Sequence, residues 1–238
     1  MIPPIANKLV VGEQPIEAIN HAHTLNARGV GTILNLLGEH YAERVLADGD
    51  TATYRHLLSD IASADLDACI SVKPSQIGLE ISTSLFGENL ANIVDTARET
   101  DTFVWVDMED HTTTDDTLEA FATNVVDYPK MGLCVQANLR RSLADIKRLA
   151  DLPGKVRLVK GAYDPPAELA YRQKTEVDAA YHDLLELAFQ QFESGVAVGS
   201  HDPAMIDHAA NLHETHGTDY EVQMLTGVRE DAQYELAQ

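Results

Sequence analysis

Lysine is scarce in this chain: seven residues stand against 38 acids, and with ten arginines the formal charge is −21. So acid a balance argues against nucleic acid as a partner, since phosphate binding needs clustered Lys and Arg, and against an electrostatic hold on anionic lipid. Cysteine is scarcer still. Cys69 and Cys134 both lie in apolar runs, so they form no disulfide framework and read as buried, reduced thiols. No uncharged apolar stretch approaches the roughly 18 residues that a bilayer span needs. The start, Met1-Ile2-Pro3-Pro4, lacks the basic-then-apolar order of a secretory signal. These absences point to a cytoplasmic protein. Repeats, low-complexity tracts and Pro/Gly/Ser linkers are also missing, so residues 1–238 read as one domain. The acids are spread evenly and form no tail. Such a surface suits concentrated salt, where screening removes self-repulsion and hydrated carboxylates keep the protein soluble.

What is present is alternation. With 45% apolar residues the chain has a core to bury, and that content is distributed in short runs rich in Val, Ile and Leu. Strands are predicted over 31–37, 67–73, 102–108, 131–137, 155–160, 195–199 and 220–225. Helical spacing is predicted over 15–28, 43–64, 84–99, 114–126, 140–150, 167–193 and 203–215, with another helix starting near 229. Thr114 and Asp115 open their helix with capping chemistry, and Asp116 adds charge to its first turn. Strands alternating with helices imply a parallel sheet with crossover helices. A doubly wound sheet would announce its nucleotide site with a Gly-rich turn after the first strand, and Leu37-Gly38-Glu39-His40 is not that pattern. The expectation is an α/β fold of the (βα)8 barrel type, led by an N-terminal helix. Seven βα units are visible, and the chain stops at Gln238, where the eighth would begin.

In a barrel, chemistry lies at the carboxyl ends of the strands. The second strand ends in Lys73-Pro74-Ser75-Gln76, and the third in Asp107-Met108-Glu109-Asp110. The fourth ends in Gln136-Ala137-Asn138 ahead of Arg140-Arg141; the fifth carries Arg157 and ends in Lys160-Gly161-Ala162-Tyr163. The sixth ends in Ser200-His201-Asp202, and the seventh carries Glu221 and Gln223. Lys73 and Lys160 adjoin apolar runs, where a cation needs an answering anion, so carboxylates or anionic ligand groups are expected beside both. Lys73 and Asp107 close adjacent strands and are expected to pair. Lys160 in its apolar setting is also a candidate Schiff-base nucleophile of an aldolase, although no Gly-rich phosphate loop accompanies it. His201, His208, His213 and His216 lack metal-ligand spacing, and His21-x-His23 precedes the first strand, so no metal site is expected. His201, at a strand end, is the one histidine placed for function.

With those strand ends in view, the sequence resembles the proline dehydrogenase family. The matching segments are ISVKPSQIGL at 70–79, VDMED at 106–110, VQANLRRS at 135–142, VRLVKGAYDPP at 156–166, SHD at 200–202 and YEVQMLTGVR at 220–229, within a likeness running from about Asn7. The resemblance implies a (βα)8 barrel that holds FAD at its carboxyl-terminal rim and oxidises L-proline to Δ1-pyrroline-5-carboxylate. By the same resemblance Lys73 meets the substrate carboxylate and Asp107 is the active-site aspartate beside it. Met108 and Gln136 contact the flavin, and Arg157 stands near its N5. Val159, Lys160 and Gly161 line the cofactor, with Ser200 and His201 against it. The implied electron acceptor is a quinone, which would bring transient contact with the inner face of the membrane. Two positions depart mildly, Asn138 from a frequent Tyr and Ser200 from Thr. The family continues into an eighth βα unit carrying a tyrosine and an Arg-Arg-x-x-Glu motif that close over proline. These 238 residues contain no such motif, so a truncated barrel with weakened turnover is expected, and an inactive flavin-binding fragment is the alternative.

Overall fold

The computed structural model describes residues 10–12, 14–193 and 195–237. The start read above as no secretory signal lies outside them, as does the beginning of the resemblance near Asn7. In chain order the elements are α1 (Pro15–Asn26), β1 (Thr32–Leu34), α2 (Arg44–Ser63), β2 (Ala68–Val72), α3 (Thr83–Thr100), β3 (Val104–Val106), α4 (Thr114–Val125), β4 (Met131–Gln136), α5 (Ser142–Leu149), β5 (Lys155–Val159), α6 (Lys174–Gln191), β6 (Val196–Gly199), α7 (Pro203–His216), β7 (Tyr220–Gln223) and α8 (Glu230–Leu236). The seven strands of the described residues are all parallel and pair in sequence order. They curl into an incomplete barrel whose outermost strands are β1 and β7. The two edge strands are half-buried along their length, whereas β4 is buried throughout.

The two faces of the sheet differ in chemistry. Ile70, Val72, Val104, Val106, Val156, Leu158, Val196 and Val198 belong to one apolar core under the helices, each at most 1% exposed. Fully burying one such side chain is worth roughly 1.5–3 kcal/mol. The intervening residues (Ser71, Trp105, Arg157 and Gln223 among them) point inward, because successive side chains in a strand alternate. Trp105 lies opposite Gly132 on β4, and a Cβ at Gly132 would collide with the indole ring. The glycine thus makes room for the one tryptophan, which is 1% exposed.

Several predicted boundaries move, each for a local reason. The helix expected over 167–193 starts at Lys174. Before it, Tyr171 donates its backbone N–H to Asn138 O at 2.7 Å, and Leu139 bridges Ala170, which ties 167–173 down as a loop. Gln173 and Glu176 then form a reciprocal capping box. The helix expected from 140 begins at Ser142, because Arg140 donates its N–H to Leu169 O at 2.9 Å. The first strand is only Thr32–Leu34: past it, the Leu36 N–H turns to the Tyr54 hydroxyl at 3.2 Å. The third stops at Val106, and the cap before α4 is Thr113, with Asp115 and Asp116 in the first turn. Both cysteines are unbridged; Cys134 is buried, but Cys69 is only half-buried.

Candidate active site

The carboxyl ends of the strands place the candidates in three groups. The first is interior. Arg157, 8% exposed, donates Nη2 to Asp107 Oδ1 and to Ser71 Oγ (3.1 Å), and Nη1 to Gln223 Oε1 at 3.1 Å. Ser71 Oγ also donates to Asp107 Oδ1 at 2.9 Å. The guanidinium carbon lies 4.9 Å from the centroid of the Trp105 ring. Burial is the largest influence on the Arg157 cation and opposes it, but the Asp107 charge together with the neighbouring Cys134 and Cys69 raises the pKa above the ordinary arginine value. This is a pre-set, buried cation with a single carboxylate partner among the described residues.

The expected Lys73–Asp107 pair is absent. Asp107 turns inward to Arg157 and Ser71, whereas Lys73 Nζ reaches the Gly38 carbonyl oxygen at 3.4 Å. Among the described residues no carboxylate comes within ion-pair distance of Lys73. Its turn is held instead by Glu109, which is 4% exposed and accepts from Ser75 N–H at 2.7 Å and from Ser75 Oγ at 2.8 Å. Burial raises the Glu109 pKa, and the two Ser75 hydrogen bonds offset only part of that rise. Gln136 is 3% exposed and is used here in support: its Nε2 donates to Glu109 O at 2.6 Å, and more weakly to Met108 O at 3.4 Å. Met108 is buried beside it.

The third group lines an open hollow of ≈ 350 Å³ formed by Val159, Lys160, Gly161, Ala162, Gly199, Ser200 and His201. Five of the seven are positions that the resemblance gave to the cofactor. A neighbouring hollow of ≈ 310 Å³ shares Lys160 and Gly161 and extends past Asn138 and Tyr163 to Arg172. Gly161 has φ +106°, and a Cβ there would collide with Asn138 Oδ1. Glycine is therefore required by both conformation and space. Lys160 Nζ lies 2.5 Å from Asp178 Oδ1 and 2.8 Å from Asp202 Oδ2. Burial opposes its charge, but hydrogen bonds to the two carboxylates raise its pKa, and the same contacts hold both aspartates below the usual carboxylate range. A Schiff-base nucleophile must be neutral to attack, so this lysine is a poor one and the aldolase reading loses its residue.

Two buried polar atoms beside these hollows have no protein partner, His201 Nδ1 and Asn138 Oδ1. His201 Nε2 accepts from the Leu225 N–H at 3.2 Å, which leaves the ring proton on Nδ1 as an unanswered donor. Burial, then the Arg229 charge, lowers the His201 pKa and keeps the ring neutral. An orphan donor beside one hollow and an orphan acceptor beside the adjoining one fit a polar heterocyclic ligand such as the one the resemblance implies. Among the described residues no group of three or more His, Cys, Asp or Glu is placed to hold a metal ion. Sequence reasoning placed Glu109 and Gln223 among the strand-end residues but gave them no role, and it missed Ser71. Parity could have added the roles: Ser71, Arg157 and Gln223 occupy inward positions of their strands, and Glu109 lies two residues beyond Asp107.

Comparison with known proteins bears on this geometry. The family model described as proline dehydrogenase matches residues 18–238. Proline dehydrogenase 1 of Bacillus subtilis subsp. natto is 33% identical over 237 residues, covering 98% of this chain and 78% of the relative. The proline dehydrogenase of Deinococcus radiodurans is 35% identical over 243 residues, covering 98% and 77%. Among solved structures, proline utilization A (PutA) from Bdellovibrio bacteriovorus, inactivated by N-propargylglycine, superposes with a TM-score of 0.85 at 22% identity. That match covers 98% of this chain and 29% of the other, so the present chain spans under a third of that protein.

Proposed function

The chain belongs to the proline dehydrogenase family, and from that premise we propose that it oxidises L-proline to Δ1-pyrroline-5-carboxylate at the carboxyl-terminal rim of its strands, with FAD as resident cofactor. Bound FAD would supply the electron sink, taking a hydride equivalent from the substrate carbon. Val159, Lys160, Gly161, Ser200 and His201 would hold it in the hollow they line, with the His201 Nδ1 proton and the Asn138 amide oxygen as polar anchors. Gln136 and the buried Met108 instead support the loop after β3, through the Gln136 amide on the Met108 and Glu109 carbonyls.

The chain's own residues divide the remaining work. Proline is a zwitterion, and its carboxylate needs a cation that no protein carboxylate already claims. Lys73 meets that requirement: it is half-buried and has only a long contact to the Gly38 carbonyl. Arg157 keeps a fixed positive charge where negative charge builds as electrons arrive, and Asp107 and Ser71 hold it in place before substrate binds. Pre-set groups of this kind cost no reorganisation during the reaction. The contrast between an unclaimed Lys73 and a firmly held Arg157 is the observation that carries the reading. A quinone as final acceptor, a cytoplasmic location and brief membrane contact complete the proposal. No helix among the described residues is long and apolar enough to cross a membrane.

The test is an anaerobic spectrum of the purified chain after reconstitution with FAD, recorded before and after L-proline is added. We expect a bound, yellow flavin that bleaches with proline. A chain that takes up no FAD overturns the cofactor assignment, and a bound flavin that proline leaves oxidised overturns the activity.

A further inference from the structure

We infer that Gln223 is a positioning residue for Arg157, and that Glu221 and the small residues of β6 are arranged to make that contact. The inference rests on the role given to Arg157 above. Arg157 on β5 is in register with Ala197 on β6, and Ala197 with Glu221 on β7. The guanidinium therefore has to cross β6 to reach β7. It can do so because β6 offers Ala197 and Gly199 on that face. A Cβ at Gly199 would come within 2.7 Å of Val159 Cγ1 and 3.4 Å of Arg157 Cγ, crowding the crossing.

Asp107 and Ser71 both grip Nη2 of Arg157. Two contacts on one nitrogen fix only that end of the guanidinium, and the Trp105 ring, 4.9 Å from its carbon, bounds its plane but leaves the direction of Nη1 free. Gln223 removes this freedom by accepting from the other nitrogen, Nη1, at 3.1 Å. The amide could present its NH2 group to Arg157 instead, so its orientation must be set. Glu221 sets it: Gln223 Nε2 donates to Glu221 Oε1 at 2.5 Å, which turns the amide oxygen toward Arg157. Glu221 is itself fixed by Lys155, whose Nζ lies 3.1 Å from Oε2. One line of contacts thus runs from Lys155 through Glu221 and Gln223 to Arg157. The identity of residue 223 matters as well. A neutral amide orients the guanidinium without cancelling its charge, whereas a carboxylate there would be a second anion on a cation already paired with Asp107. The acid on this strand, Glu221, is instead committed to Lys155.

The experiment compares wild type with Gln223→Leu, Gln223→Glu and Glu221→Gln as FAD-loaded proteins. It measures FAD content, flavin midpoint potential, and kcat and KM for L-proline with an artificial acceptor. Gln223→Leu should keep its FAD and its KM while kcat falls about tenfold, the loss expected for one charge-assisted hydrogen bond. Gln223→Glu should lower the flavin midpoint potential, because the added carboxylate offsets the guanidinium charge. Glu221→Gln should fall between Gln223→Leu and wild type in kcat, since the amide at 223 is then free to turn. A thermal double-mutant cycle on the flavin-free protein gives a readout independent of turnover: the destabilisation by Gln223→Leu should vanish when Arg157 is already Ala. Unchanged kcat and potential in both Gln223 variants, or an additive cycle, overturns the inference. If wild-type flavin is not bleached by proline, the functional reading fails, and the cycle still decides whether Gln223 holds Arg157. Should Gln223→Leu not fold, Gln223→Met takes its place in every measurement.

Discussion

Arg157 and Lys160 leave the same segment of chain three residues apart and enter opposite environments. Arg157 points into the incomplete barrel and is 8% exposed, with one carboxylate and two neutral acceptors around it. Lys160 follows the last residue of β5, its side chain 27% exposed, and is answered by two carboxylates. The interior cation has little competition for its charge, so it can act on whatever is bound in front of it. The rim cation is more than neutralised, and its contacts tie β5 to α6 and to the start of α7. Charge alone therefore does not mark a functional residue; the balance of charge around it does.

Removing Arg157 should have the largest effect. Arg157→Ala is expected to slow flavin reduction by proline about 10²–10³-fold, the scale of losing one pre-set electrostatic group, as measured by anaerobic stopped-flow. Reduction at the wild-type rate would erase the distinction between interior and rim. Lys73→Ala should raise the KM for proline roughly 10- to 100-fold, matching a charged hydrogen bond of about 1.5–3 kcal/mol, with FAD content unchanged. If FAD affinity falls equally, Lys73 serves the proposed cofactor rather than substrate.

Salt separates the two regions next. With a formal charge of −21 the thermal midpoint should climb between about 0.1 and 3 M KCl, as screening shortens the Debye length from roughly 10 to 3 Å and below. The contribution of the partly exposed Lys160 cluster should shrink over that range, while that of the more deeply buried Arg157–Asp107 pair should shrink less. A flat or falling midpoint removes the salt-adapted reading of the surface.

Lys160→Met should cost no more than about 1 kcal/mol in urea unfolding of the flavin-free protein, because half-exposed pairs are screened. Asp178 and Asp202 have lowered pKa values, so their contribution is present above the unfolded carboxylate pKa of about 3.9 and is lost as pH falls through the lowered values. Glu109 has the opposite sign. Its folded pKa is raised, so the folded state holds the proton more tightly and stability declines as pH rises from about 4.3 toward the raised value. In Glu109→Gln that decline should be missing from a series of melts across this window. A slope equal to that of wild type would place the Glu109 carboxyl in a more solvated setting than its burial indicates.

Much of this was legible in the chain itself. The predicted runs 67–73, 131–137 and 155–160 gave β2, β4 and β5 to within one residue at each end, because the face of a strand buried under helices must be apolar. Strand-end polarity marked the rim, and the segment VRLVKGAY marked both Arg157 and the turn that lines the hollow. Proximity in the strand order misled at Lys73 and Asp107. Adjacent strand ends bring two side chains near each other, but the choice of partner depends on which way each turns after leaving its strand.

The sequence by itself determined the βα alternation, the parallel order of strands and the end of the sheet at which chemistry collects, since hydrophobic period and crossover handedness leave few alternatives. Only the tertiary structure decided the partners. Asp107 answers Arg157 from two strands away, Gln223 reaches it across the small residues of β6, and Glu109 grips Ser75 from the neighbouring loop. Those contacts depend on the curl of the sheet, which brings inward side chains of non-adjacent strands together, and sequence spacing carries no record of that curvature.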